Sequence, residues 1–350
     1  MKVLKPTVIV FFDPPPPFGG VRVSSTQTYS LLQKQDDVEY VSMQFSQPLF
    51  NFVFSLFKKT PTFFRAKLIL YQVNGVLSIN ENRFIFTILL NKLFFKKMAF
   101  RGFGGGIKNA WIEQPYFTKL FQTFLINQMS FMTLQTKSDY DFFLQNTKIK
   151  TKTYWFPNTR PINDLINVNN RGKASRFCFV GKVWKEKGID LIISAAKKLP
   201  KEISIDIFGP ITEEAFNEYF NNHINNNQAL VTYKGEIGRE QILKTIANYD
   251  ALLLPTRWIT EGHPGVILES FSVGLPVIAS NWNGIPELLD ETSGILIDNS
   301  SDTDLVNAIQ KLHNDNIFFE QLKKGAKARS YFFSPESWAI KLHEWILEQL

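Results

Sequence analysis

The second half of the chain is built from short apolar runs that end in glycine, proline or serine. RFCFVG (176–181), ISIDIFG (203–209), ALVTYKG (229–235), ALLLP (251–255) and PVIAS (276–280) have the length of strands and are too short for helices. Continuous apolar runs of this kind suit strands covered on both faces. Between them lie segments with helical patterning: GIDLIISAAKKL (188–199), a polar stretch near 213–225, REQILKTIANY (239–249) and GVILESFSVG (265–274). ETSGILID (291–298) supplies one more strand, and the chain from Asp302 onward reads as helical. Ser334-Pro335-Glu336 opens the last helix, with Ser as N-cap and Pro in the first turn. Strands alternating with helices specify βαβ units, a parallel sheet and right-handed crossovers.

The first half alternates less cleanly. VIVFF (8–12), VEYVSM (38–43), KLILYQV (67–73), KMAFRG (97–102), MSFMTLQ (129–135) and KTYWFPN (152–158) read as strands, most of them separated by helices. PNTRPINDLINVNNRGKAS (157–175) is polar, Asn-rich and holds two prolines, the composition of a connection. The expected organisation is an N-terminal domain over 1–160, a linker over 161–174, a C-terminal domain over 175–332, and a terminal helix over 333–350 that packs back on the first domain. The fold class is α/β, with two doubly wound domains facing across a cleft. Ligands in such folds bind at the carboxyl ends of the strands.

A chain of 350 residues is comfortable for two cores. A single cysteine, Cys178, excludes an internal disulfide framework and fits a reducing compartment. It sits in FCFVG and reads as core. Four scattered histidines give no metal-ligand spacing, so no metal is expected. The N-terminal apolar run meets a proline block and reads as a first strand rather than a signal peptide. No run reaches the roughly 20 apolar residues of a membrane helix.

The net charge of +7 is unevenly spread. Residues 1–165 hold 20 Lys and Arg against 9 Asp and Glu, and the remainder is mildly acidic. The aromatic, basic segments 50–67 and 83–101 have the pattern of an interfacial surface. The same pattern also suits an amphipathic helix buried against a sheet.

The stretch TEGHPGVILES (260–270) sets two glutamates eight residues apart. Pro264 suits a first helical turn, Gly262 and Gly265 allow a ligand close to the backbone, and a helix N-terminus favours an anion or a hydroxyl. Glu261 lies before the helix and Glu269 about one and a half turns inside it. That is not the arrangement of a glycosidase pair, whose carboxyl groups face one bond about 5–5.5 Å apart. Carboxylates accept paired hydroxyls well, and sugars and riboses present them. On these residues alone, a dipole-favoured acid and an exposed helix residue are the simpler account of the pair.

Glu261-Gly262-x-Pro264-Gly265-x-x-x-Glu269, with SVGLPVIAS and NGIPELL after it and FVGKVWKEKGID before it, resembles the C-terminal domain of retaining GT-B glycosyltransferases of family 4. Phe271 departs from that pattern, which usually has alanine there. The resemblance implies two Rossmann-like domains. It implies that Glu261 contacts a donor sugar, with Gly262, His263, Pro264 and Gly265 around its hydroxyls and the diphosphate. Glu269 would hold the nucleotide ribose, and Lys182 and Lys187 the diphosphate. Two fixed cations stabilise the charge that develops as a nucleoside diphosphate leaves. Lys182 stands where arginine is common, giving a point charge in place of a fork. Gly19 and Gly20, in DPPPPFGGVR (13–22), resemble the glycine loop near the donor phosphate. Arg101, Gly104 and Gly105, in RGFGGGIKN (101–109), stand on the acceptor side, where relatives carry a histidine that this chain lacks. Glu287 reads as a helix-start acid. Trp258 and Trp282 read either as stacking platforms or as core.

The expected activity is transfer of a sugar from a nucleotide-diphosphate sugar, UDP- or GDP-linked, to a hydroxyl of a saccharide or lipid-linked saccharide, with retention and without a metal or other cofactor. Surface-polysaccharide synthesis in the cytoplasm, at the inner membrane face, is the setting the resemblance implies. Nucleic acid is not an expected partner. A nucleotide-sugar epimerase, a phosphorylase on the same scaffold, or a non-catalytic sugar or nucleic-acid binder are the alternatives. Nucleotide binding and the salt dependence of affinity separate them.

Overall fold

The computed structural model describes residues 5–15, 20–44, 60–74, 88, 92, 96–168, 172–211, 220 and 230–350. The chain divides into two units: Met1–Thr159 with Pro335–Leu350, and Arg160–Ser334.

The first unit holds a six-stranded parallel sheet in the order β2-β1-β3-β4-β5-β6. Its strands are β1 (Thr7–Phe11), β2 (Glu39–Met43), β3 (Ala66–Asn74), β4 (Lys97–Phe103), β5 (Phe131–Leu134) and β6 (Lys152–Trp155). Helices α1 (Gly20–Leu32), α2 (Thr60–Arg65), α3 (Ile107–Glu113), α4 (Tyr116–Ile126) and α5 (Lys137–Asn146) accompany them. Every residue of β1 is buried because both sheet faces are covered, which explains its unbroken apolar sequence. One face packs Ile9, Phe11, Ile69, Phe100 and Met132 with Trp111 and Phe143 from α3 and α5. The other packs Val8, Val10, Leu68, Leu70, Ala99 and Phe131 with Trp338, Leu342 and Ile346. Those last three come from the terminal helix, Pro335–Leu347.

The second unit holds another six-stranded parallel sheet, ordered β12-β11-β10-β7-β8-β9. Its strands are β7 (Arg176–Val180), β8 (Ser204–Phe208), β9 (Val231–Gly235), β10 (Ala251–Leu254), β11 (Val277–Ser280) and β12 (Gly294–Ile297). Its helices are α6 (Ile189–Ala196), α7 (Ile242–Ile246), α8 (Gly265–Ser272), α9 (Ile285–Leu288), α10 (Asp302–Asn314) and α11 (Asn316–Phe332), so the terminal helix is α12. The central strands β10 and β11 are wholly buried. Ser301 caps α10 by accepting from the Asp304 amide, and Asp315 caps α11 by accepting from that of Phe318. Residues 160–168 run with this unit: the Val168 amide donates to the Val273 carbonyl, and Ala174 is fully buried in its core. The polar helix expected near 213–225 lies outside the described residues, apart from the helical Phe220.

Candidate active site

In the second sheet the chain runs outward from β7 through β8 to β9, then returns to the middle and runs the other way from β10 to β12. The turns that follow β7 and β10 therefore lie side by side at the point where strand order reverses, the place where open parallel sheets take ligands. β7 leads into a 3₁₀ turn, Lys185–Lys187, and then α6. β10 leads into a loop and then α8. Backbone hydrogen bonds stitch the two turns together, since the Arg257 amide donates to the Glu186 carbonyl at 2.7 Å. The Arg257 side chain donates to Asp190 Oδ2 at 2.6 Å. Gly188 makes the approach possible. Its φ is +78°, and a Cβ there would sit 2.0 Å from the Pro255 carbonyl oxygen.

This stitching sets Glu261. Its Oε2 accepts from the Lys187 ammonium and, at 3.0 Å, from the Thr256 hydroxyl. The two side chains of the ion pair are 17% and 10% exposed, so the pair is largely withdrawn from water. Neither bond goes to Oε1, which leaves that oxygen to accept a hydroxyl. Glu269, on the fifth residue of α8, is built the same way. Its Oε1 accepts from Arg160 Nε at 2.8 Å, and Arg239 Nη2 stands 3.8 Å from that same oxygen. Burial, and after it the Arg160 charge, pulls the Arg239 guanidinium below its ordinary value, with Glu269 opposing. Glu269 is therefore not the exposed helix residue that one reading of the sequence allowed: its side chain is 14% exposed and paired. Each glutamate thus has one oxygen held by a cation and a second oxygen that no described residue engages.

The N-terminus of α8 lies between them. Pro264 is its N-cap rather than its first helical residue, and no side chain caps the turn. The first amides of the helix are therefore available to a ligand. Arg160 runs across this end of the helix so closely that a Cβ on Gly265 would lie 2.1 Å from its Nη2.

The remaining sequence-selected residues distribute as follows. Lys182 is exposed, with its ammonium 5.7 Å over the Trp184 ring. Trp184 in turn packs on Trp258, with ring centroids 4.5 Å apart. Trp282 donates from Nε1 to the Trp258 carbonyl at 2.8 Å, and Asn283 donates to the Ile259 carbonyl, so both hold the β10 loop in place. His263 is buried behind the loop, 2.9 Å from Glu287 Oε2. Gly262 is buried between His263 and Glu261.

In the first unit, Gly20 is the first residue of α1, and Gly19 lies outside the described residues. Gly104 has φ of +95° with open space beside it, and its amide donates to Gln135 Oε1. Gly105 is buried. Arg101 is only 1% exposed. Its guanidinium donates to Thr28 Oγ1 and Gln72 Oε1, each at 2.7 Å, and to Ser24 Oγ at 3.2 Å. It lies between the Phe103 and Phe156 rings. With Thr28, Gln72 and Ser24 all neutral, burial draws its pKa down to about 9.

Sequence reading missed Arg160, Arg239 and Thr256. Arg160 falls in an Asn- and Pro-rich stretch that looks like a connection, and it meets Glu269 across 109 positions of chain. Arg239 is one charge among several at a polar helix start. Only the eight-residue spacing of the two glutamates themselves was visible. Among the described residues, no three His, Cys, Asp or Glu side chains gather as metal ligands.

Residues 163–329 match the family model described as Glycosyl transferases group 1. An uncharacterized glycosyltransferase of Methanocaldococcus jannaschii is 22% identical over 316 residues, covering 82% of this chain and 79% of its own. The UDP-Gal:alpha-D-GlcNAc-diphosphoundecaprenol alpha-1,3-galactosyltransferase of Escherichia coli is 30% identical over 148 residues, covering 40% of this chain and 37% of its own. Among solved structures, HepE of Anabaena in complex with UDP superposes with a TM-score of 0.77 at 14% identity, over 99% of this chain and 100% of its own. Sucrose-phosphate synthase of Thermosynechococcus elongatus gives 0.74 at 16% identity, over 98% and 99%. The chain is thus a glycosyltransferase with the two Rossmann-like units of the GT-B fold, its residues 163–329 matching the glycosyl transferases group 1 model.

Proposed function

We propose that the chain transfers a sugar from a UDP-sugar to a hydroxyl of a saccharide or lipid-linked saccharide, with retention at the anomeric carbon, in the manner of glycosyltransferase family 4. The observation that carries this reading is the pair of half-engaged glutamates on either side of an uncapped helix N-terminus. In this reading Glu269 Oε2 accepts from the ribose hydroxyls and Glu261 Oε1 from the donor sugar. The diphosphate lies at the first amides of α8, with Lys187 and Lys182 beside it. As the bond from the anomeric carbon to the diphosphate oxygen breaks, negative charge builds on the departing UDP. Fixed cations and amides stabilise it without reorganising. The acceptor oxygen forms the new bond to the anomeric carbon and passes its proton to the departing diphosphate. The proposal assigns charge neutralisation to these groups rather than to a metal. Arg101, Gly104 and Gly105 remain the proposed acceptor-side residues, and Arg101 would act there through the helix it holds rather than by contact.

The similar proteins favour uridine: HepE was crystallised with UDP, and the Escherichia coli relative is named for UDP-Gal and a diphosphoundecaprenol acceptor. The proposed setting is polysaccharide synthesis at the cytoplasmic membrane face. The contact proposed there is peripheral; no helix among the described residues is long and apolar enough to cross a membrane.

Thermal unfolding in the presence of UDP-, GDP-, ADP- and CMP-sugars tests the reading. A ligand at about 100 times its dissociation constant stabilises by roughly 2.7 kcal/mol. UDP-sugars should stabilise wild type and not Glu269→Ala. Stabilisation by inorganic phosphate alone would favour the phosphorylase alternative. Indifference to every nucleotide sugar would sink the transferase reading for this chain.

A further inference from the structure

Glu261 sits in the stretch 255–264, which joins β10 to α8 without helix or strand. Lys187 and Thr256 hold its carboxylate, but a side chain on a loop is only as fixed as the backbone beneath it. Ile259 and Thr260, just before it, are exposed. Gly262, just after it, has the widest backbone freedom of any residue type.

The backbone is held from outside, by the turn that follows β11. The Trp258 carbonyl accepts from the Glu261 amide at 3.0 Å and from Trp282 Nε1 at 2.8 Å, so one oxygen ties that turn to Glu261 itself. Beside it, Asn283 Nδ2 donates to the Ile259 carbonyl at 2.9 Å. On the far side of Glu261, His263 Nε2 meets Glu287 Oε2 at 2.9 Å, and the His263 side chain is fully buried. Glu287 is fixed in its turn: its carbonyl and that of Leu288 accept from the Arg329 guanidinium, each at 2.9 Å. The segment 282–287 thus grips the loop at 258–259 and again at 263, with the carboxylate between the two grips. Asn283 has φ of +47° and is the only residue other than glycine among those described with a positive φ. Glycine would take that backbone at less cost. Asparagine adds the amide that reaches Ile259.

We infer that the turn 282–287 positions Glu261 for the donor sugar, with Trp282, Asn283 and Glu287 as positioning residues that act through the loop. This deepens the function proposed above and rests on its reading of Glu261 as the sugar contact. UDP carries no sugar, and in that reading Glu269 and the first amides of α8 hold it. Loosening the turn should therefore spare UDP binding and slow the transfer step. A displacement of about 1 Å is enough to cost about 100-fold in rate.

The test uses the full chain with UDP-glucose, UDP-galactose and UDP-N-acetylglucosamine as donors. Water takes the place of the acceptor hydroxyl, so each turnover gives free sugar and UDP, and UDP release reads the transfer step. Thermal stabilisation by UDP alone reads folding and the nucleotide site. Glu287→Ala should lower turnover about 30-fold, and Asn283→Gly and Trp282→Phe about 10-fold, with UDP affinity kept within about twofold. Glu287→Gln can pair with either ring tautomer of His263 and should recover most of the loss. In a Glu261→Gln background the same substitutions should cost little more than Glu261→Gln alone, because they act through that carboxylate. Should Glu287→Ala not fold, Asn283→Gly, which keeps the left-handed backbone, still decides. Losses that add in full to Glu261→Gln, or that match an equal loss of UDP binding, would make the turn a fold element only and overturn the inference. Unchanged turnover would overturn it as well. Wild type that binds UDP and hydrolyses none of the three donors would remove the sugar contact of Glu261 and the inference with it. Wild type that binds no UDP would sink the functional reading on which it rests.

Discussion

The two units solve the problem of buried polar groups in opposite ways. In the second, the buried carboxylate of Glu261 and the largely buried one of Glu269 each face a cation, so that charge is matched locally. In the first, the buried Arg101 meets only hydroxyls, an amide oxygen and two aromatic rings. It stands in register with Gln72 on one side and Thr133 on the other, one step beyond the apolar row of Leu70, Ala99 and Phe131. The partners from α1 are Ser24 and Thr28, on a helix whose buried face is Ser24, Ser25, Thr28 and Leu32 rather than a set of aliphatics. The Ser25 hydroxyl, the Gln72 amide nitrogen and the Thr133 hydroxyl in this layer have no partner. Matched charges in the second unit leave defined oxygens ready for a ligand. The neutral layer in the first makes one guanidinium the clasp between a helix and the sheet.

Three substitutions break or sharpen that contrast. The largest effect belongs to the matched pair. Lys187→Met removes the cation from Glu261 and a proposed stabiliser of the leaving group, and turnover on the identified donor should fall by about 10²–10³-fold. Steady-state kinetics with circular dichroism as a folding control measures it, and a drop of less than about threefold would take Lys187 out of the chemistry. Next comes the clasp. Arg101→Met leaves Ser24, Thr28 and Gln72 without their partner and should cost about 2–4 kcal/mol, read from the urea midpoint. Loss of less than about 1 kcal/mol would mean that the guanidinium contributes little more than it costs to bury. The smallest effect is Gly265→Ala. The added methyl displaces Arg160 from Glu269 and should cost about 1–3 kcal/mol of stability. Nucleotide binding should weaken more in this variant than stability alone accounts for, as isothermal calorimetry with UDP would show. Unchanged binding would detach Arg160 from the positioning of Glu269.

Much of the second unit was legible before the structure. Strands covered on both faces must be apolar throughout, and helices between them must show a 3.6-residue period, so RFCFVG, ALLLP and PVIAS announce themselves. The glutamates and their glycines were legible because they lie within one short stretch. What lies behind them was not. Arg160 reaches Glu269 from far away in sequence, and nothing local marks an arginine in PNTRP as a partner. The polar face of α1 hides for the opposite reason: Ser24, Ser25 and Thr28 look like a solvent side, and only a buried guanidinium makes sense of them. Helix α4 shows a further limit. Tyr116, Phe117, Leu120, Phe121 and Phe124 have the spacing of a core-facing stripe, and their exposure appears only once their neighbours are known. The basic aromatic segments 50–67 and 83–101, which suggested a surface from sequence, fall largely outside the described residues.

The terminal helix α12 belongs to the first unit although the whole second unit precedes it in the chain. It is bound there by a Tyr40–His343 hydrogen bond of 2.7 Å, a stacked Tyr154–Trp345 pair at 4.1 Å and the burial of Trp338, Leu342 and Ile346. During synthesis, then, the order of maturation inverts the order of sequence. Arg160–Ser334 is continuous and can close on itself as soon as it clears the ribosome. The sheet that begins at Thr7 must wait with one face uncovered until the last sixteen residues, Pro335–Leu350, are made. At about 5–20 residues per second, the intervening 175 residues of Arg160–Ser334 take on the order of ten to thirty-five seconds. Premature termination near residue 334 would leave the second unit whole and strand the first.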